Sequence, residues 1–396
     1  MKLAVVTNIL APYRVPLFEA MSRRVDDLTV FLMAKTEENR QWDIGPVAFK
    51  TQVLPGLHFK PPSSEVSLHW NYGVVSALRS ANPDVVMSGG FAPANIEAYL
   101  YCKLFRKAYV GWGEFTLRDN ARSSVLRRMQ RRWMTKGSAG SIASSTEARD
   151  AFLYYGAASR SVLTSLMPLN VERFNCEARM FRGTGAYEEL RGRYSRPIIM
   201  SVGRLSDRKG CRDLFAIYER VAVQRPDASL LLVGEGPDRL KYEALVRERG
   251  WHHVHFLGFI SQELLPQYLA LADVFVFPTL ADTYGAVLAE AMAAEVPVVS
   301  SIFAAATADL VLDGVNGYSM IPTVHASAAD RILDILERSP GERAEMGRAG
   351  YRAVEATGIE QSADSMVQFL RSVQAEPGIS MRLGRRLAAW SKETLG

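Results

Sequence analysis

Ile198-Ile199-Met200-Ser201-Val202-Gly203-Arg204-Leu205-Ser206-Asp207-Arg208-Lys209-Gly210 holds the key to the fold. An apolar run closes on a glycine. A basic loop follows, then a second glycine and a helical pattern through Leu214, Tyr218 and Val221. A short continuous apolar run predicts a strand buried on both faces. A buried strand that ends in glycine and feeds a helix is the repeating step of a doubly wound parallel sheet, and such sheets take their ligands outside the carboxyl ends of the strands. Arg204 and Lys209 put two positive charges there. A diphosphate needs that neutralisation, and arginine can meet it bidentately. A solvated basic loop is the plainer alternative.

Downstream the step recurs. Leu230–Val233 ends at Gly234-Glu235-Gly236-Pro237, and His255–Gly258, Val274–Phe277 and Val296–Ser300 are further apolar runs. Gly234 opens like a dinucleotide fingerprint, but Arg239 stands where G-x-G-x-x-G needs its last glycine. The turn reads as a strand–helix connection whose backbone can line a nucleotide pocket. Then comes Phe277-Pro278-Thr279-Leu280-Ala281-Asp282-Thr283-Tyr284-Gly285-Ala286-Val287-Leu288-Ala289-Glu290-Ala291-Met292-Ala293. Its helix formers predict a helix from about Gly285. A helix start with its unpaired N–H groups suits a phosphate. Asp282 lies just before it. Glu290 lies among alanines, where a buried carboxylate needs a partner. Ribose hydroxyls would serve, each charge-assisted bond contributing about 1.5–3 kcal/mol; a surface glutamate is the alternative.

Upstream, Leu3–Thr7, Leu28–Met33, Pro83–Met87 and Ala108–Val110 are strand-like runs separated by helical stretches, including Ala94–Phe105. They predict a second parallel α/β layer structure. At 396 residues the chain exceeds one ordinary core. Arg179–Tyr194 is charged and contains glycine, so it reads as a linker. The expected division is 1–194, 195–370 and a basic C-terminal helix, 371–396, that crosses back to the first domain.

The order Gly203-Arg204-Leu205…Lys209-Gly210, Gly234-Glu235-Gly236-Pro237, Asp282…Glu290-Ala291-Met292-Ala293, Pro297-Val298-Val299 and Asp313-Gly314-Val315-Asn316-Gly317 resembles the family 4 (GT4) retaining glycosyltransferases of GT-B fold. The likeness covers most of residues 196–350. It extends more loosely to Pro12-Tyr13-Arg14-Val15-Pro16-Leu17-Phe18 and Ser144-Ser145-Thr146. It implies an α/β protein of two Rossmann-like doubly wound domains facing a cleft. It implies that Arg204 and Lys209 hold the diphosphate of a nucleoside diphosphate sugar, with no metal ion and no cofactor. Glu290 would bind the ribose, and Asp282 would face the sugar hydroxyls. Gly203, Gly234 and the backbone of Tyr284, Gly285 and Ala286 would line the donor site. The acceptor would meet the N-terminal domain through Arg14, Gly89 and Gly90.

Two departures stand out. The first acid is Asp282, one methylene shorter than the family's glutamate. The His-Asp pair usual after an N-domain strand is replaced by Gly111-Trp112-Gly113-Glu114. Glu114 becomes a candidate catalytic or acceptor-binding group, with a structural carboxylate as the alternative.

The net charge of +5 suits anionic ligands or an anionic membrane surface. Arg118, Arg122, Arg127, Arg128, Arg131, Arg132 and Lys136 crowd one segment in which Val125, Met129 and Trp133 recur at helical spacing. That pattern fits a basic amphipathic helix resting on anionic lipid, or a core-packed helix with a solvated basic face. Arg382, Arg385, Arg386 and Lys392 beside Leu383, Leu387 and Trp390 have similar character. No run is long enough to cross a membrane. Cys102, Cys176 and Cys211 form no CxxC pair, which argues against a disulfide framework and for a reducing cytoplasm. His252, His253 and His255 lack a metal-binding spacing and read as structural. The expected protein is cytoplasmic or peripheral on the inner membrane face. It transfers a sugar to a glycan or lipid-linked acceptor in cell-envelope, lipopolysaccharide or exopolysaccharide synthesis. A nucleotide-sugar epimerase of the same fold and a non-catalytic nucleotide- or glycan-binding protein are the competing readings. No nucleic-acid-binding signature is present.

Overall fold

The computed structural model describes residues 1–36, 45–59, 68–120 and 123–375. Arg122 and the basic stretch from Arg382 to Lys392 lie outside them. The chain divides into two compact units: Met1–Pro168 with the segment from Ile359, and Leu169–Gly358.

The first unit is built on a seven-stranded sheet. Its order is Lys50–Val53, Asp27–Leu32, Lys2–Thr7, Val85–Gly89, Ala108–Gly113, Gly140–Ala143 and Val162–Thr164, every neighbouring pair parallel. The second unit holds six parallel strands in the order Val254–Gly258, Ser229–Val233, Ile198–Val202, Val274–Phe277, Val298–Ser301 and Gly317–Met320. In both, the first strand of the unit sits mid-sheet, and the chain runs outward to one side before switching to the other. That is the Rossmann order, and it opens a crevice where the direction reverses. The central strands are apolar because helices cover both faces; Ser229–Val233 and Val274–Phe277 are buried at every position.

Two expected boundaries move. Arg179–Tyr194 is not a linker. It lies largely in the helices Val171–Arg182 and Gly185–Arg191, which belong to the second unit. Asn175 donates to the carbonyl of Ala293 at 3.0 Å, and Arg182 to that of Ala294 at 2.7 Å. The charge that made the segment look like a linker is one face of an amphipathic helix, whose other face buries Val171, Phe174 and Ala178. The returning helix is Ile359–Ala375, ahead of the expected 371–396. Ala363, Met366, Val367, Leu370 and Val373 form a stripe at helical spacing and join the first unit's core with Phe18 and Met21. Arg24 pairs with Asp364 at 2.6 Å and Glu360 at 2.8 Å, fixing the register.

The basic segment forms the helices Leu117–Asn120 and Val125–Gly137. Ser124 caps the second by accepting from the Arg127 N–H. An antiparallel ribbon, Gly56–Phe59 with Leu68–Asn71, is an addition that the apolar runs did not announce.

Candidate functional site

In the second unit, the loops after Ile198–Val202 and Val274–Phe277 flank the switch point. They are stitched together. The Leu280 N–H donates to the Arg208 carbonyl at 3.0 Å. Gly210 has a φ of +73°, and a Cβ there would fall 1.9 Å from the Pro278 carbonyl oxygen. Only glycine permits both the left-handed turn and the close approach. Gly234 has a comparable reason: a Cβ would lie 2.1 Å from the Gly203 carbonyl oxygen. Behind it, the Leu205 N–H donates to the Glu235 carbonyl at 3.0 Å. The glycine pair 234 and 236 therefore packs one turn against the basic loop, which accounts for the partial likeness to a dinucleotide fingerprint.

Across the stitched loops, Lys209 Nζ donates to Asp282 Oδ2 at 2.6 Å. Asp282 Oδ1 accepts the Tyr284 N–H at 3.2 Å, an Asx turn that shapes the approach to the helix Ala286–Ala293. Gly285 occupies the N-cap position of that helix. Backbone bonds from Asp282 to Phe303 and from Ala306 to Tyr284 hold the loop to the next strand's turn. Arg204 differs from Lys209. It is exposed and makes no ion pair or side-chain hydrogen bond with any described residue.

Glu290 is only 7% exposed, so it is not a surface glutamate. Gln262 Nε2 donates to its Oε1 at 2.7 Å. Arg173 in turn donates to the Gln262 carbonyl at 3.1 Å. Burial pushes the Glu290 carboxyl above the usual carboxylate range; the Gln262 hydrogen bond and the Arg173 charge pull the other way. Asn175 and Arg182, bound to the carbonyls at the end of its helix, hold that helix in place. None of these four residues was legible as a site residue. They stand far from Glu290 in sequence and carry no local motif.

In the first unit, Arg14 and Glu114 are 100 residues apart in sequence and meet at 2.6 Å. Their side chains are 15% and 22% exposed. Arg14 also donates to Thr7 Oγ1 at 2.9 Å and lies over the Trp112 ring, 4.7 Å from its centroid. Burial opposes its charge, but Tyr13 and Glu114 outweigh that and hold the proton more tightly than in a free arginine. Gly89 pairs in register with Trp112, and the turn at Gly89 and Gly90 is pinned by Asn95, which is fully buried. Asn95 Nδ2 donates to Ser88 Oγ at 2.6 Å and the Gly89 carbonyl at 3.1 Å, and Asn95 Oδ1 accepts the Ala92 N–H at 2.8 Å. An asparagine third in a helix that opens with Pro93 is a readable start signal.

Residues 188–353 match the family model described as glycosyl transferases group 1. The chain is 30% identical over 173 residues to an alpha-D-kanosaminyltransferase of Streptomyces kanamyceticus, covering 41% of this chain and 45% of that protein. It is 31% identical over 198 residues to a GDP-mannose-dependent monoacylated alpha-(1-6)-phosphatidylinositol monomannoside mannosyltransferase of Corynebacterium glutamicum, covering 46% and 48%. The matched stretch thus spans less than half the length of these curated relatives. Among solved structures, Anabaena HepE in complex with UDP and glucose superposes with a TM-score of 0.71 at 18% identity, covering 94% of this chain and 100% of that one. That likeness establishes the GT-B glycosyltransferase fold.

Proposed function

We propose, from the match of residues 188–353 to the group 1 glycosyl transferase model, that the protein is a retaining glycosyltransferase. It moves a sugar from a nucleoside diphosphate sugar to a hydroxyl of a glycan or lipid-linked acceptor, in cell-envelope or exopolysaccharide synthesis. One observation carries the reading. The second unit brings an uncovered Arg204, Lys209 and a buried Glu290 to the crevice side of a Rossmann sheet. As the sugar–phosphate bond breaks, negative charge grows on the diphosphate. Arg204 and Lys209 stabilise it there, in the place a divalent metal takes in other transferases. The acceptor hydroxyl attacks from the face that the phosphate leaves, and a phosphate oxygen takes its proton. Glu290 accepts from the ribose. Gly89 and Gly90 of the first unit serve the acceptor, beside loops that the Arg14–Glu114 pair holds in place.

The protein works against an anionic membrane surface. No helix among the described residues is long and apolar enough to cross one. On Val125–Gly137, however, the apolar row is not core: Val125, Leu126, Met129 and Trp133 are all exposed, Leu126 at 76%. Burying such side chains would contribute about 1.5–3 kcal/mol each. The same helix carries Arg127, Arg128, Arg131, Arg132 and Lys136 and no acid. Each basic group near anionic lipid adds about 1 kcal/mol.

A thermal-shift screen against UDP, GDP, ADP and their sugar conjugates, followed by transfer assays with the responding donor, tests the reading. A ligand that binds the native state selectively raises its apparent stability. One nucleotide family should respond, Glu290→Ala should abolish the response, and transfer should persist in EDTA. A well-folded sample that answers to no nucleotide contradicts the reading. Strict loss of transfer in EDTA contradicts the cationic account of the leaving group.

A further inference from the structure

On the donor-site reading above, we infer that Gln262 is a positioning residue: it turns the Glu290 carboxylate toward the ribose and thereby sets the preference for ribose over deoxyribose. The oxygens of Glu290 are treated differently. Oε1 accepts from Gln262 Nε2 at 2.7 Å, whereas Oε2 accepts from no described residue. The rest of the glutamate is packed into the helix Ala286–Ala293 and is 7% exposed. One contact at its tip therefore sets the carboxylate's direction, and Oε2 stays open for a ligand hydroxyl.

Gln262 is exposed, so packing does not hold its side chain; its main chain does. It lies on the loop that follows the strand Val254–Gly258. At the start of that loop the Gly234 N–H donates to the Gly258 carbonyl at 2.7 Å. At its end the Ser261 carbonyl accepts from Leu264 at 3.1 Å and from Leu265 at 3.0 Å. Between them Arg173, on the helix Val171–Arg182, donates to the Gln262 carbonyl at 3.1 Å. The loop is thus fixed on each side of Gln262, and its amide spans the remaining gap to Glu290. A neutral amide suits the task. Lysine or arginine would form an ion pair with the carboxylate and satisfy its charge. An amide N–H orients it and leaves the charge for the ribose. Donation to the ionised form also opposes the protonation that burial favours. A carboxylate aimed before the ligand arrives loses less freedom on binding.

Calorimetry on the full chain tests it. UDP, GDP or ADP, whichever the protein binds, is titrated beside its 2′,3′-dideoxy form into the parent, Gln262→Met, Glu290→Ala and the double variant, with ligand concentration raised where binding is weak. Methionine keeps the length of the side chain and removes its donor. Base and diphosphate are common to both ligands, so the ratio of their affinities reads the ribose contact alone. The parent should prefer the ribose form by about tenfold or more, the size of one hydrogen bond to a charged group. Gln262→Met should cut that ratio by about threefold or more, and Glu290→Ala should remove the preference. With Glu290 gone, Gln262→Met should change the ratio by less than about twofold, because its partner is absent. A larger ratio in Gln262→Met overturns the assignment, by showing that the glutamine covers the carboxylate and competes with ribose. A ratio that falls as far without Glu290 as with it also overturns it, since Gln262 would then read the ribose directly. If the parent binds no nucleotide, the proposed function fails; if it binds both forms equally, the ribose role of Glu290 fails; this assignment falls in either case. A parent that prefers ribose, with a ratio that Gln262→Met leaves unchanged, refutes this assignment only.

Discussion

The two units share a strand order and treat charge at their switch points in opposite ways. In the second, Arg204 is uncovered and Lys209 is held by one carboxylate with donors to spare. In the first, Arg14 is closed in by Glu114, Thr7 and the Trp112 ring. A Rossmann sheet offers the same crevice in both cases. What differs is whether the charge there is already neutralised. On the proposed function the second unit's open charge receives the anion, and the first carries an internally compensated pair.

That contrast can be broken most sharply at Arg204. Arg204→Ala should lower kcat/KM for sugar transfer by about 10²–10³-fold, the range for removing one group that stabilises developing negative charge. Its melting temperature should stay unchanged, since the exposed side chain makes no ion pair or side-chain hydrogen bond with any described residue. A steady-state assay beside a melting curve checks both. Arg14→Ala should behave in reverse. It strands the mostly buried Glu114 carboxylate, a cost of about 2–3 kcal/mol after allowing for its partial exposure. For a unit of this size that is a fall of about 4–12 °C in melting temperature. The double change Arg14→Ala/Glu114→Ala should recover part of it. If Arg14→Ala instead keeps its stability and loses transfer, the pair acts on substrate and the contrast fails.

The smallest effect belongs to Glu290. Burial raises its carboxyl pKa, so the folded state takes up a proton before the unfolded chain does as pH falls. The ionised form therefore costs stability at pH values above the raised pKa, and that cost disappears as pH drops through it. Glu290→Gln removes the charge and keeps a hydrogen-bonding partner for Gln262. It should melt about 1–4 °C higher than the parent at about pH 8, with the gap closing toward the ordinary carboxylate range. A constant gap across pH would show that the carboxylate is not penalised by burial.

Much of this was legible in the chain because each central strand is a continuous apolar run. Ile198–Val202 and Val274–Phe277 were readable to the residue. Lys50–Val53 was not. All four of its residues are exposed at a sheet edge, so no apolar pattern marks it. The ribbon Gly56–Phe59 with Leu68–Asn71 was hidden similarly, since Leu57, Phe59, Leu68 and Trp70 alternate with other residues yet face away from the core. Spacing put Arg204 and Lys209 after the strand Ile198–Val202, Asp282 before the helix Ala286–Ala293 and Glu290 on it, as in the structure. It said nothing of which charges were already paired. The Lys209–Asp282 and Arg14–Glu114 contacts span 73 and 100 residues, and Gln262 reaches Glu290 from a loop with no motif of its own. Such pairings are products of tertiary packing, which local pattern does not encode.

Hydrogen exchange with and without the nucleoside diphosphate that the protein selects tests the central claim most directly. The account predicts slower exchange in residues 203–210 and 278–290 on binding, and no change in 8–14, 89–92 and 113–116. Protection confined to those first-unit loops would contradict it, because the anion would then have chosen the unit whose charge is already neutralised.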